Sequence, residues 1–288
     1  MPPPTNPKSR IPNPDVYPAL AAITLLGAVV NGALGYGFSS ITVPLALLFL
    51  SNRQLNPALV LIEVVLNAYV LWVNRGALQR MWRRVRPIVV GMVPGVLAGT
   101  AILARVNPAW LRFSTFAVLL PLILAQAAGY RRPIQSERAA GLLFGSGLGI
   151  LYAVTTISGP PLAVVLSNQG FVLQEFRAAL GVIRLSESLL TATSYAAASL
   201  IAPESLALIP WIVPSVVVGV PIGAWLIRRV RAETFRRVCM SFDAWVVAFG
   251  LSTLLRELHL VDGAAAFLVL AAVVVVDVRL LYRFFSVD

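Results

Sequence analysis

Two stretches of the chain set hydroxyl-bearing residues beside glycines and prolines in the middle of uncharged sequence. The first reads Asn31-Gly32-Ala33-Leu34-Gly35-Tyr36-Gly37-Phe38-Ser39-Ser40-Ile41-Thr42-Val43-Pro44, and the second Thr155-Thr156-Ile157-Ser158-Gly159-Pro160-Pro161. Glycine costs a helix interior about 1 kcal/mol relative to alanine, and an interior proline removes a hydrogen bond and clashes with the preceding turn. Both stretches therefore predict a kink or break. A helix that restarts after a break presents free N–H groups and partial positive charge at its N-terminus, a setting that favours a small anion. Asn31, Gly35, Gly37, Ser39, Ser40 and Thr42 in the first stretch form one half of the candidate substrate-binding set. Thr155, Thr156, Ser158, Gly159 and Pro160 in the second form the other. The competing reading is that these small residues only let helices pack closely.

Three ionisable residues stand inside apolar sequence, where a charge at a span centre costs about 2.5–3.5 kcal/mol on insertion scales. Glu63 lies in LVLIEVVLNAY, with Asn67 one turn on; Arg184 and Glu187 are three apart on one helix face and can neutralise each other there. Arg184 is also within reach of an interfacial snorkel. These three are the candidate coupling or gating residues, with Glu63 or Glu187 carrying a coupling proton; sodium is the other coupling ion considered. If Glu63 is structural, Asn67 or Tyr69 is expected to satisfy it. Asp243 is expected to pair with Arg236 or Arg237, and Asp277 to sit with Arg279 near a membrane face.

No catalytic residue is expected. The chain has one cysteine, Cys239, and one histidine, His259. It can therefore form no internal disulfide and no bis-histidine haem, and His259 reads as a solvated residue of the link RELHLVD. No cofactor is expected, and no Asp, His or Cys cluster within the spans offers a metal site.

The elements that must hold these residues are membrane helices. Of the 288 residues, 58% are apolar and 12% charged, with a mean hydropathy of +0.83; about a quarter of residues are charged in soluble domains. Residues 16–52 and 139–174 carry no charge at all. Each run exceeds the roughly 20 residues of one crossing and must fold back or break. The net charge of +11 comes from 23 basic and 12 acidic residues, with Lys8 the only lysine. The arginines cluster in the links at 75–86, 131–138 and 228–237, as cytoplasmic topology signals do, so nucleic acid is not an expected partner. Trp110, Trp211 and Trp245 read as interfacial anchors.

Apolar runs give a broken stretch at 17–50 and spans near 57–74, 87–104 and 109–129. A second broken stretch at 139–170 precedes spans near 177–202, 206–227, 238–256 and 264–282. The predicted organisation is a disordered tail over 1–16, a first transmembrane repeat over 17–130, a second over 139–256, and an extra C-terminal helix and tail over 264–288. Gly95, Gly99, Arg105, Val106 and Arg112 recur 124 positions later as Gly219, Gly223, Arg229, Val230 and Arg236. The same offset relates Glu63 to Glu187. With the arginine links on one side, the span at 87–104 runs outward and its counterpart inward, so the expectation is an all-α polytopic membrane protein of two inverted repeats. Each is a broken helical hairpin plus three transmembrane helices, the repeats being followed by one extra C-terminal helix. Inverted repeats of this kind place a substrate site near the midplane of secondary transporters. Gly91, Gly95, Gly99, Gly219 and Gly223, at four-residue spacing, read as helix-packing positions.

The motifs Gly32-Ala33-Leu34-Gly35-Tyr36-Gly37 leading to Val43-Pro44, Thr156-Ile157-Ser158-Gly159-Pro160-Pro161-Leu162 and Phe176-Arg177-Ala178 together resemble the sulfite exporter TauE/SafE family of membrane transporters. The resemblance covers residues 17–256. Where the family usually carries a Gly-Gly-Gly run, this chain has Gly37-Phe38-Ser39. The resemblance implies a multi-pass carrier in the bacterial inner membrane for sulfite, sulfonates or related organic acids; the sulfur is implied by the likeness alone. A passive anion channel and a non-transporting membrane scaffold are the alternative readings.

Overall fold

A computed structural model describes residues 16–73, 75–128, 137–167 and 173–286. The expected tail over 1–16 lies outside the described residues except for Val16, as does the arginine link at residues 131–136. The described chain is helical and contains no strand. In order the helices are α1 (Val16–Leu34), α2 (Phe38–Ala46), α3 (Asn52–Val73), α4 (Leu78–Arg105), α5 (Pro108–Ala127), α6 (Glu137–Thr155), α7 (Gly159–Ser167), α8 (Leu173–Ala197), α9 (Pro203–Leu206), α10 (Ile209–Leu226), α11 (Ala232–Glu257) and α12 (Leu268–Ser286). Among the described residues seven helical segments are long and apolar enough to cross a bilayer: α1, α3, most of α4 and α5, α9 with α10, α11, and α12 with the turn before it. The chain is an all-α, multi-pass membrane protein. The apolar set differs from the expected one at two places. It includes α1, within the first broken stretch, and omits α8, whose Glu175, Arg177, Arg184 and Glu187 lower its hydropathy while its central face is buried against α3 and α4.

Four-residue glycine spacing decides the two tightest packings. α1 runs parallel to α10, with Ala28 beside Gly219 and Val29 beside Gly223; α4 runs parallel to α6, with Gly91 beside Leu142 and Gly95 beside Ser146. A Cβ on Gly95 would stand 2.1 Å from the Ser146 carbonyl oxygen, a separation only a backbone shift could relieve. Gly95→Ala gains about 1 kcal/mol of helix propensity but overpacks a backbone contact at a cost of roughly 1–3 kcal/mol, so the clash wins. We expect Gly95→Ala to lower the detergent-solubilised unfolding midpoint. Gly147→Ala, whose Cβ would meet nothing within 4 Å, should leave the midpoint unchanged or raise it. Equal responses would remove the close-packing explanation.

A third pairing also crosses the halves. α3 and α8 lie antiparallel, Gly181 beside Leu71 and the Arg184 carbonyl accepting from Asn67 Nδ2 at 3.3 Å. α2 and α7 fold back beside α11 and α5 respectively. Arg53 at the start of α3 closes the end of α4, donating to the carbonyls of Leu103, Ala104 and Val106, each at 2.8 Å. A cation is well placed there, since the last carbonyls of a helix lack intrahelical donors and carry partial negative charge.

The C-terminal helix corrects two expected pairings. Arg237 reaches not Asp243 but Asp277 on α12, at 2.9 Å, and Ser241 Oγ donates to the same carboxylate at 3.2 Å. Asp277 is buried rather than at a membrane face, because α12 packs along α11 and carries that residue inward. Arg236 binds Glu233 one turn back, and Asp243 is buried without a salt bridge among the described residues. Trp110 and Trp211 lie at helix starts, Trp211 stacked on Tyr17 with centroids 5.2 Å apart. Trp245 is instead exposed midway along α11, so it is not an end anchor. His259 is exposed in the link after α11.

Candidate functional site

Both uncharged runs break where glycine, proline and hydroxyl residues coincide. Between α1 and α2 the chain turns through Gly35 at φ +80° and Gly37 at φ +104°, left-handed values that glycine adopts without steric cost. Between α6 and α7 it turns at Thr156, whose φ is +55°. A β-branched residue there stores strain on the order of 1–3 kcal/mol, of the kind that surrounding structure must hold in place. That support is visible. The carbonyl of Val154 accepts from Asn52 Nδ2 at 3.1 Å and Asn56 Nδ2 at 2.6 Å, the carbonyl of Ala153 accepts from the Tyr195 hydroxyl, and Thr155 Oγ1 accepts from the Ile157 N–H at 3.0 Å. Backbone groups released by a break inside a membrane must find such partners.

The two restarted helices are unequal anion donors. In α2 the first ladder bond runs from Ile41 N–H to Gly37 O at 3.2 Å, so the N–H groups of Phe38, Ser39 and Ser40 precede the ladder. In α7 the corresponding bond is Leu162 N–H to Ser158 O at 3.1 Å, and the first turn contains Pro160 and Pro161, which have no N–H. Free amides thus come chiefly from the first break, with Gly159 supplying the second.

The breaks abut. A Cβ on Gly159 would lie 3.2 Å from the Tyr36 ring, 3.7 Å from Ser40 Oγ and 3.8 Å from the Gly37 nitrogen. Glu63 stitches them together from α3. Its Oε1 accepts from the Ser39 hydroxyl and from Arg184 Nη2 at 3.2 Å, and its Oε2 accepts from the Tyr152 hydroxyl at 2.6 Å. Ser39 belongs to the first break, Tyr152 to the helix entering the second, and Arg184 to α8. Glu63 is 0% exposed and Arg184 3%. Arg184 therefore neither snorkels nor pairs along its own helix. The antiparallel register of α3 and α8 sets Glu63 in front of its guanidinium, and this cross-helix pair takes the place of the expected i, i+3 pair with Glu187. Neither expected partner satisfies Glu63: Asn67 donates to the Arg184 carbonyl, and Tyr69 is 57% exposed.

Glu187 mirrors Glu63 on the other side with fewer partners. Its Oε2 accepts from Ser158 at 2.6 Å, whereas Oε1 is buried with no hydrogen-bond partner among the described residues. It lies within the electrostatic field of both Arg184 and Glu63. Each half thus contributes one break serine bound to one midspan glutamate, Ser39 to Glu63 and Ser158 to Glu187, with Arg184 the one cation beside them among the described residues. Glu63 falls eleven residues past Asn52 in α3, about 16 Å along the helix at 1.5 Å per residue and so near mid-bilayer.

A profile described as sulfite exporter TauE/SafE matches residues 20–253. The chain belongs to that family. Comparison with curated proteins and with solved structures finds no match to this chain. The TauE/SafE proteins are membrane transporters rather than enzymes.

Within this TauE/SafE chain the eleven candidate binding residues gather around the two breaks, but their polar atoms are differently engaged. Ser39 and Ser158 are bound to glutamates; Thr155 Oγ1 donates to Leu151 O at 2.7 Å and Thr156 Oγ1 to Thr155 O at 2.7 Å. Thr42 Oγ1 and Asn31 Oδ1 are buried without partners among the described residues. Pro160 lies in the first turn of α7. Sequence reading missed Tyr152, Asn52, Asn56 and Tyr195, uncharged residues whose importance depends on which break they face. A polar residue every third or fourth position of an apolar helix is the available signal, and Asn52 and Asn56 carry it.

Proposed function

We propose that this TauE/SafE transporter is a secondary carrier of small sulfur-containing anions, sulfite or sulfonates, in the bacterial inner membrane. The anion is held near the midplane by the first-turn amides of α2, by Thr42 and Asn31, and by the Gly159 end of α7. The two halves act as inverted repeats that exchange conformations, and Glu187, beside the Glu63–Arg184 pair, carries a coupling proton. The observation that supports this reading most is the direct meeting of the two helix breaks, with Glu63 bound to a hydroxyl from each side. The antiparallel register of α3 and α8 and the matched pairings α1 with α10 and α6 with α4 support the inverted arrangement.

The test is a thermal-shift series on purified protein with sulfite, sulfate, thiosulfate, taurine, sulfoacetate and simple carboxylates. A ligand bound only by the folded protein stabilises it by about 2.7 kcal/mol at a hundred times its Kd. We expect a sulfur anion to raise the midpoint, and Thr42→Val with Ser158→Ala to abolish that shift, from a ligand-free midpoint that is itself lowered because Ser158→Ala removes the hydroxyl donating to the buried Glu187 carboxyl. If the double variant retains the full shift and full proteoliposome uptake, the proposed site is wrong.

A further inference from the structure

Resting on the anion-carrier reading above, we propose that the cavity between α1, α3, α8 and α10 is the substrate's vestibule on the arginine-bearing face. Arg177 and Arg228 recruit a small sulfur oxyanion or sulfonate into it. The cavity measures about 550 Å³, inside the range of roughly 300–1,000 Å³ of small-molecule sites. Its inner end is formed by Asn31 and Gly35 at the first helix break.

Two independent observations mark that end as open to a ligand. Asn31 is 3% exposed and its Oδ1 has no hydrogen-bond partner among the described residues. A Cβ on Gly35 would meet no atom within 4 Å, so free space reaches the break itself. At the other end Arg177, near the start of α8, and Arg228, just past α10, are both exposed. Among the described residues the lining contains these two arginines and no Asp or Glu. A cleft lined by one sign of charge between low-dielectric walls concentrates the opposite ion and speeds its capture. The guanidinium fork also suits an oxyanion geometrically. Arginines that orient the chain in the membrane would then also serve as the anion's first contact, handing it to Asn31 and the amides of α2.

Tyr69 lines the same cavity and gives a probe that does not depend on transport. In a Cys239→Ser background, Tyr69→Cys is labelled in vesicles of either orientation with anionic sulfonatoethyl and cationic trimethylammonioethyl methanethiosulfonate. Labelling is expected only from the arginine-bearing side, with the anionic reagent faster by about ten-fold, the lower end of electrostatic steering. That bias should collapse in Arg177→Gln/Arg228→Gln and in high salt, and methanesulfonate, a sulfonate that does not react with the reagents, should slow the labelling. In uptake assays the double Gln variant, without the Tyr69 change, should raise KM about ten-fold at low salt with kcat within two-fold.

Labelling from both faces, or a charge bias indifferent to the arginines, overturns the vestibule. So does an unchanged KM in a protein that transports normally. A parent inert toward every sulfur anion overturns the functional reading as well. An anionic lipid headgroup offers the arginines the same chemistry. A bias that phosphatidylglycerol abolishes in phosphatidylcholine vesicles, with methanesulfonate without effect, assigns them to lipid and overturns the proposal.

Discussion

Arg184→Met is expected to destabilise the protein by about 3–5 kcal/mol, the cost of removing one partner of a buried ion pair. Arg184 is the cation that contacts Glu63 at 3.2 Å, and both side chains are almost fully buried. Removing it leaves two buried carboxyl groups, Glu63 and Glu187, with hydroxyl donors but no charge to balance them. Methionine matches the stem of arginine well enough that lost packing is a small part of the effect. The discriminating measurement is a double-mutant cycle. Glu63→Gln alone leaves Arg184 buried without its partner and should also destabilise. Glu63→Gln with Arg184→Met removes both charges, and the amide introduced by Glu63→Gln keeps one oxygen to accept from one of the two hydroxyls, Ser39 or Tyr152, while its NH2 can donate to the hydroxyl oxygen of the other. The double variant should therefore recover at least half of what Arg184→Met loses, read as the unfolding midpoint and the monodisperse yield. Strict additivity of the two losses would mean that the residues are not coupled and that the contact contributes nothing of its own.

That pair also marks where reading the sequence stops. The helix breaks were legible because glycines and prolines in an uncharged run conflict with a continuous helix whatever surrounds them. The packing faces were legible for the same local reason: Gly91, Gly95 and Gly99 fall on one side of α4 by spacing alone, and they meet the α6 backbone. Glu63, Arg184 and Glu187 stood out because charge is costly in lipid. Their partners were another matter. Arg184 and Glu187 lie three apart, so local geometry favoured them as a pair; the choice of Glu63 depends on the α3–α8 register, which no local pattern carries. Arg237 chose Asp277, forty residues away, over Asp243, six residues away, for the same reason. Asn52, Asn56, Tyr152 and Tyr195 matter through the breaks they face. Arg228 read as a topology marker and Arg177 only as part of the Phe176-Arg177-Ala178 motif, because charge density reports the side of the membrane, not whether an arginine lines a cavity.

Glu187→Gln is expected to separate anion binding from proton binding. With both glutamates ionised the buried trio of Glu63, Arg184 and Glu187 carries two negative charges and one positive, a net charge of −1 beside the proposed anion site. A second anion is disfavoured there, and one proton on the trio makes it neutral. Glu63 already has its three donors, one of them Arg184, whereas Glu187 keeps an oxygen free of any partner among the described residues. The proposed coupling proton is therefore placed on Glu187. Linkage makes the effect reciprocal: anion binding takes up a proton, so anion affinity rises as pH falls. For one proton the limiting slope is about ten-fold per pH unit. Direction of transport then follows from the sum of the anion and proton gradients. In Glu187→Gln the second carboxyl is gone and the Glu63–Arg184 pair balances itself, and the amide oxygen can still accept from Ser158. The variant should bind the anion with a flat pH profile near the acidic limit of the parent. It should exchange labelled for unlabelled anion, and it should fail to accumulate anion when a proton gradient is imposed. Glu187→Asp keeps the titrating group and should keep the slope. Titrations of purified protein across pH, beside exchange and gradient-driven uptake in proteoliposomes, read all three. A glutamine variant that retains the full pH slope would move the coupling proton to another group and leave Glu187 a structural partner of Ser158.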